Sequence, residues 1–328
     1  MKYNRKRLLG LTGVLASAAL VLSACGSGDV QAAKQKNEKS GANGKCGTVN
    51  MAVNNWVGYA ADAYVVGEIA AKKLGCQMNY LKLNEEPSWT GFASGKVDIV
   101  IENWGHPDLV KKYIDQEKVA VDDGPTGNKG VIGWYVPPWM AKKYPDITNW
   151  KNLNKYAKLF KTSESGDKGQ FTDGDPGFVT NDEALVKNLN LDFKVVYAGS
   201  EDALITGFRQ AEQKKKPMIG YFYEPQWFLS EVPLVHVKLP AFSSNTTACP
   251  TKASDIKCDY PAYELNKVVA KKFADSGSPA ASLVKNFSWT NDDQNLVAKY
   301  IAQDKMSPQA AADKWIAANP DKVKAWLG

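Results

Sequence analysis

Histidine is nearly missing from this 328-residue sequence: His106 and His236 are the only two, and no Cys-x-x-Cys pair occurs. Together these absences remove the usual zinc ligand sets. The chain also has no Gly-x-Ser-x-Gly, no phosphate-cradling P-loop, no Gly-x-Gly-x-x-Gly and no His-Glu-x-x-His. Nucleophile elbows, nucleotide sites and metalloprotease helices therefore have no sequence support, and neither an enzyme nor a cofactor is expected. No segment of 20 to 50 residues repeats, which argues against a solenoid or propeller.

Basic charge is scarcer than the formal +6 suggests. Residues 1–24 hold Lys2, Arg5, Lys6 and Arg7 and no acidic residue, so without them +6 falls by four to +2. A nearly neutral body with no basic stripe is not a nucleic-acid binder.

What the chain does have begins at its first residue. A basic start, an apolar run rich in Leu, Ala and Val, and a small-residue site make residues 1–24 a signal peptide. Leu22-Ser23-Ala24-Cys25 resembles a bacterial lipobox, in which a lipid is attached to the cysteine and cleavage leaves it as the new N-terminus. An ordinary cleaved signal or an uncleaved anchor is the competing reading, since the apolar run is near the short end for a span. Residues 25–46 are read as the lipidated cysteine and a flexible tether, polar and rich in Gly and Lys. The expected location is extracytoplasmic, on the membrane surface.

Four cysteines remain, an even number in an exported chain, which favours disulfides. Cys46 and Cys76 each precede an apolar run and could join neighbouring parallel strands. Cys249 and Cys258 are close enough in sequence for local pairing. Three connectivities are possible, and spacing alone does not select one.

From Gly47 onward, strand-like runs alternate with helical ones. GTVNMAVN, QMNYLKLN, KVDIVIEN, KGVIGWYVP, FKVVYAG and MIGYFY read as strands, separated by segments such as AADAYVVGEIAAKKLG and EDALITGFRQAEQKKK. That alternation predicts an α/β fold of two lobes, each a mostly parallel sheet flanked by helices, with a ligand cleft between them. Crossings near 131–136 and 233–240 divide it into lobe 1 (47–133 plus 237–328, discontinuous) and lobe 2 (134–236). The tail from Tyr263 to Gly328 reads as mostly helical.

Ten tryptophans and fourteen tyrosines are present, and several stand where strands end. Trp56 follows the first strand, Trp104 another; Trp134 and Tyr135 lie on the first crossing; Tyr221, Tyr223 and Trp227 follow MIG. Aromatics converging on one cleft form a box suited to a quaternary ammonium group. Such a head has no N–H to donate and is held by ring faces instead. Trp150, Trp289, Trp315 and Trp326 lie at helical spacing or near helix ends and are assigned to packing.

The ordered set of lipobox, tether, NNW at 54–56, DIVIENW at 98–104, GWYVPPWM at 133–140, GDPGF at 174–178 and YFYEPQW at 221–227 resembles the glycine-betaine/choline-type substrate-binding proteins of ABC transporters. The resemblance covers Gly47 to Gly328. It implies a two-lobed periplasmic-binding-protein fold that closes around its ligand and delivers it to a membrane permease, with an aromatic cage of Trp56, Trp104, Tyr135 and Tyr223. It further implies a ligand carboxylate held by His106 and by backbone N–H groups near Gly177 and Phe178, at the start of a helix. Choline-selective members place an acid shortly after the first cage tryptophan, whereas this chain has Val57-Gly58-Tyr59. Glu102 and Glu224, flanking the cage, would favour net positive charge or else face solvent or bridge the lobes. The expected partners are a quaternary ammonium compound such as glycine betaine or choline, a permease, and the membrane through Cys25; the chain is expected to be a monomer. A tethered surface protein with a structural role, or a binder of another small cation or amino-acid-like solute, is the rival. The discriminating observation is a cleft lined by these aromatics.

Overall fold

The computed structural model describes residues 46–328 apart from residues 179, 245 and 251. The signal segment, Cys25 and the tether up to residue 45 lie outside the described residues.

Three strands build one half of the sheet: β1 (Thr48–Val53), β2 (Gln77–Lys82) and β3 (Ile99–Asn103), with β1 parallel to both others. Two helices connect them, α1 (Val57–Leu74) and α2 (Glu85–Ser94). The glycines that follow, Gly75 and Gly95, sit at φ +71° and +69°, the left-handed conformation that ends a helix most cheaply. The other half repeats the pattern with β5 (Gly169–Asp173), α3 (Asp182–Asn188), β6 (Phe193–Tyr197), α4 (Glu201–Lys214) and β7 (Gly220–Glu224), in which β5 is parallel to β6 and β7. Ser200 caps α4 by accepting from the Ala203 N–H at 3.1 Å. Inside the glycine-rich stretch the strand β5 forms, because its Phe171 is an apolar residue buried between polar neighbours.

Two antiparallel strands join the halves. The 17-residue β4 (Ala120–Val136) pairs β9 (Ala262–Ala270) along residues 120–131 and β7 along 131–135. The full order is β2-β1-β3-β9-β4-β7-β5-β6, with the three-residue β8 (Val235–Val237) paired to β4. Thus 233–240, expected to carry the chain back, only edges β4. The segment after it stays on the second half, where Asn188 Nδ2 of α3 donates to the carbonyls of Ser254 (3.0 Å) and Ile256 (2.8 Å). The return runs along β9.

From Tyr263 the tail is mostly helical, as expected, but its first residues belong to that strand, which the sequence reading did not mark. Its sequence AYELNKVVA hides the alternation because Lys267 occupies a core position, only 1% exposed. Its ammonium donates to the carbonyls of Lys285 (3.0 Å) and Phe287 (2.7 Å), and burial pulls its pKa down to about 8.

Four longer helices near the C-terminus, α5 (Pro279–Asn286), α6 (Asn291–Ala302), α7 (Pro308–Ala318) and α8 (Pro320–Leu327), cover the first half, with α6 and α7 against α1. Between them Trp289, Trp315 and Trp326 are buried; Trp315 and Trp326 stack at 5.6 Å with their planes 9° apart. Each such buried ring contributes roughly 1.5–3 kcal/mol or more. Disulfides join Cys46 to Cys76, at the starts of β1 and β2, and Cys249 to Cys258. Among the described residues no helix is long and apolar enough to cross a membrane.

Candidate functional site

Strand ends decide where the site lies. Trp56 is the last of the three residues between β1 and α1, and Trp104 directly follows β3, so parallel neighbours deliver both indoles to the same edge. Both donate to one oxygen: Trp56 Nε1 lies 2.9 Å and Trp104 Nε1 2.6 Å from Glu102 Oε1. The other oxygen, Oε2, accepts from Gln294 Nε2 of α6 at 2.6 Å. Glu102 is buried behind the rings at 2% exposure, neither facing solvent nor bridging the halves of the sheet. Beside it, burial first, and then a hydrogen bond and the charge of Glu102, push the Asp62 carboxyl far above its ordinary range.

Room for the Trp104 ring comes from Gly130. A Cβ there would stand 2.6 Å from Trp104 Cζ3, so only glycine leaves the indole its place. Around it stand Tyr223 of β7, edge-on with centroids 5.8 Å apart, and Tyr263 of β9 at 5.6 Å. Phe178, from the second half of the sheet, meets Trp56 edge-on at 5.7 Å and lies 6.4 Å from Tyr223. These rings line a cavity of about 460 Å³ that also reaches Tyr221, Tyr260 and the disulfide-closed loop at Cys249 and Cys258.

The polar wall is acidic. His106 Nε2 is 3.0 Å from Glu85 Oε1, and both residues line the cavity together with Glu86, Asp108 and Asp259. No lysine or arginine lines it among the described residues. Gly105, at φ +74°, makes the turn that brings His106 round after Trp104.

Of the residues singled out in the sequence, Trp56, Trp104, His106, Phe178 and Tyr223 meet in this one cavity. Tyr135 and Glu224 do not. Side chains alternate along a strand, and on β4 it is Ile132 that lines the cavity, so Tyr135 points to the other face. Its ring packs 5.1 Å from His236 and 6.2 Å from Phe222. Likewise Tyr223 faces the cavity and its neighbour Glu224 is exposed on the other face of β7. Gly177 does not line the cavity but sits where the two halves touch: a Cβ there would come 2.6 Å from Asn84 Nδ2. The helix start beyond it is not open to an anion. The Asn181 N–H donates to Tyr260 Oη at 2.7 Å, and Asp182 and Glu183 occupy the first turn.

Sequence reading passed over Tyr260, Tyr263, Asn181 and Glu85. The signal for Tyr263 was the hidden alternation of β9, and Tyr221 could have been chosen with Tyr223 because i and i+2 share a face. Tyr260 is held by Asp182, whose Oδ1 accepts from Tyr260 Oη (2.8 Å) and Trp134 Nε1 (2.7 Å). Burial and then the nearby Asp173 push Asp182 far up, while burial raises Asp173 to about 6.

The chain is 26% identical over 285 residues to the trimethylamine N-oxide-binding protein of Pelagibacter ubique (strain HTCC1062), covering 81% of this chain and 86% of that one. Among solved structures, lactococcal OpuAC, in its closed form complexed with glycine betaine, superposes with a TM-score of 0.66 at 21% identity, covering 86% of this chain and 99% of that one. An ABC-transporter choline-binding protein in complex with choline gives 0.69 at 18% identity, covering 86% and 92%. These likenesses establish the two-lobed periplasmic-binding-protein fold. Residues 47–318 match the family OpuAC, described as the substrate binding domain of ABC-type glycine betaine transport systems, and the chain belongs to that family.

Proposed function

We propose that the cavity between Trp56, Trp104, Phe178, Tyr223 and Tyr263 is an aromatic cage for a trimethylammonium-type head, and that the chain captures such a solute for an ABC importer. As a substrate-binding domain it holds and releases its ligand without chemistry, outside the cytoplasm. The observation that carries the reading is the convergence of two indoles from neighbouring strand ends with rings from the facing half, both indoles fixed by one buried carboxylate. A carboxylate accepting two indole N–H groups enriches the ring faces in electron density, which strengthens their hold on a cation.

The finer identity of the ligand follows from the acidic wall. With Glu85, Glu86, Asp108 and Asp259 lining the cavity and no lysine or arginine, a ligand carboxylate finds no fully charged partner. Choline or trimethylamine N-oxide, which lack a carboxylate, suits this wall better than glycine betaine. A titration calorimetry panel of the three tests both levels: binding of none overturns the cage, and preference for glycine betaine overturns the ranking.

The lobes divide along β4 and β9, with 134–261 as the second lobe, because the segment at 253–256 is held on α3. Cys25 carries the lipid that anchors the chain, which works as a monomer beside its permease; tethering keeps its concentration there high.

A further inference from the structure

The long helix α1 begins without a cap of its own. Its N-cap residue is Trp56, which has no side-chain oxygen to accept a backbone N–H, and its first turn contains no acidic residue. The first helical N–H, that of Val57, is nevertheless satisfied, and the acceptor comes from across the cleft: Glu201 Oε2 at 2.9 Å. Glu201 is the first residue of α4, in the second half of the sheet, 144 positions away. Its other oxygen, Oε1, accepts from the Tyr223 hydroxyl and, at 2.5 Å, from Gln226 Nε2. The carboxyl is buried, yet it does not line the cavity.

This geometry ties three things together. Val57 directly follows the cage residue Trp56, Tyr223 is the cage wall opposite Trp104, and one carboxylate holds both across the interface. Moving the halves apart would leave the Val57 N–H without its acceptor at the positive end of an 18-residue helix, where a carboxylate is most favourable. We propose that Glu201 is the latch of the closed form, a positioning residue that caps α1 in trans and holds Tyr223 against the cage, so that it sets how long the ligand stays. The proposal rests on the cleft being the ligand site.

The test is stopped-flow binding and release, followed by tryptophan fluorescence, with choline, trimethylamine N-oxide and glycine betaine as probes on wild type, Glu201→Ala and Glu201→Gln. At pH 8, where Glu201 is mainly ionised, hydrogen bonds to a charged group lost only on opening predict a dissociation rate about tenfold or more faster for Glu201→Ala, with an association rate changed less than about threefold. Glu201→Gln keeps one acceptor oxygen at the same reach and is expected to fall between the two, a partial rescue that a role in packing alone would not give. An unchanged dissociation rate in Glu201→Ala overturns the latch and leaves the cage standing. Failure of wild type to bind any probe overturns the cage reading and the latch with it. Should Glu201→Ala not fold, Glu201→Gln decides: a release rate about threefold or more above wild type supports the latch, and equality overturns it.

Discussion

The indole nitrogens of Trp56 and Trp104 share one acceptor, Glu102 Oε1, at 2.9 and 2.6 Å. Two rings from different strand ends are thereby fixed in orientation by a single buried charge, itself held by Gln294. A cage built this way is set before the ligand arrives, which lowers the ordering cost of binding. Glu102→Gln offers one oxygen and an amide that faces donors, so at least one indole or Gln294 loses its partner. Affinity for the tightest-binding trimethylammonium compound is expected to fall by about tenfold or more, the equivalent of roughly 1.5–3 kcal/mol for a hydrogen bond to a charged group. Calorimetry on the variant checks this, and an unchanged dissociation constant would mean that Glu102 does not set the rings.

Gly130 makes a separate prediction about space. Because a Cβ would come within 2.6 Å of the Trp104 ring, Gly130→Ala must push the indole into the cavity. Overpacking of this kind costs about 1–3 kcal/mol, seen as a lowered melting temperature together with weaker binding. A variant that binds and melts like wild type would show that Trp104 has another place to go.

The buried acids predict how stability varies with pH. Burial raises Glu201 to about 7 and Asp173 to about 6. In the unfolded chain both return to ordinary carboxylate values near about 4. The folded form thus binds more protons between those limits, and this contribution is complete below the ordinary values and lost as pH rises through about 6 and then about 7. Thermal melts of the ligand-free protein are expected to show a falling melting temperature from about pH 5 to about pH 8, with a shallower fall in Glu201→Gln. A melting temperature that rises across this window would contradict the assignment.

Lys267 allows a test away from the cleft. Replacing it with Met in Lys267→Met leaves the carbonyls of Lys285 and Phe287 without their buried donor. An unsatisfied buried acceptor costs about 1–3 kcal/mol, so urea unfolding should show that loss while ligand affinity stays at the wild-type value. A neutral or stabilised variant would mean the ammonium costs more to bury than its two hydrogen bonds return.

Much of this architecture was legible in the sequence because strand ends are marked twice, by an apolar run and by the aromatic that follows it. Trp56 and Trp104 were found that way. Tyr135 and Glu224 were misplaced because the period of a strand is two, and a shift of one residue turns a side chain to the other face. Nothing in the sequence says that Ile132 rather than Tyr135 faces in, since that depends on how β4 pairs with β7. Strand β9 was missed through Lys267, whose burial is made possible by two carbonyls from a distant segment at 285–287. Glu201 was invisible for the same reason: its partners Val57 and Tyr223 come together only when both halves are in place.

The cage itself is tested most directly by titration calorimetry of Trp104→Ala against wild type, using whichever of choline, trimethylamine N-oxide and glycine betaine binds wild type most tightly. Removing an occupied, desolvated ring face is expected to cost about 2 kcal/mol or more, a loss of roughly thirtyfold or greater in affinity. A variant that binds as tightly as wild type would contradict the account.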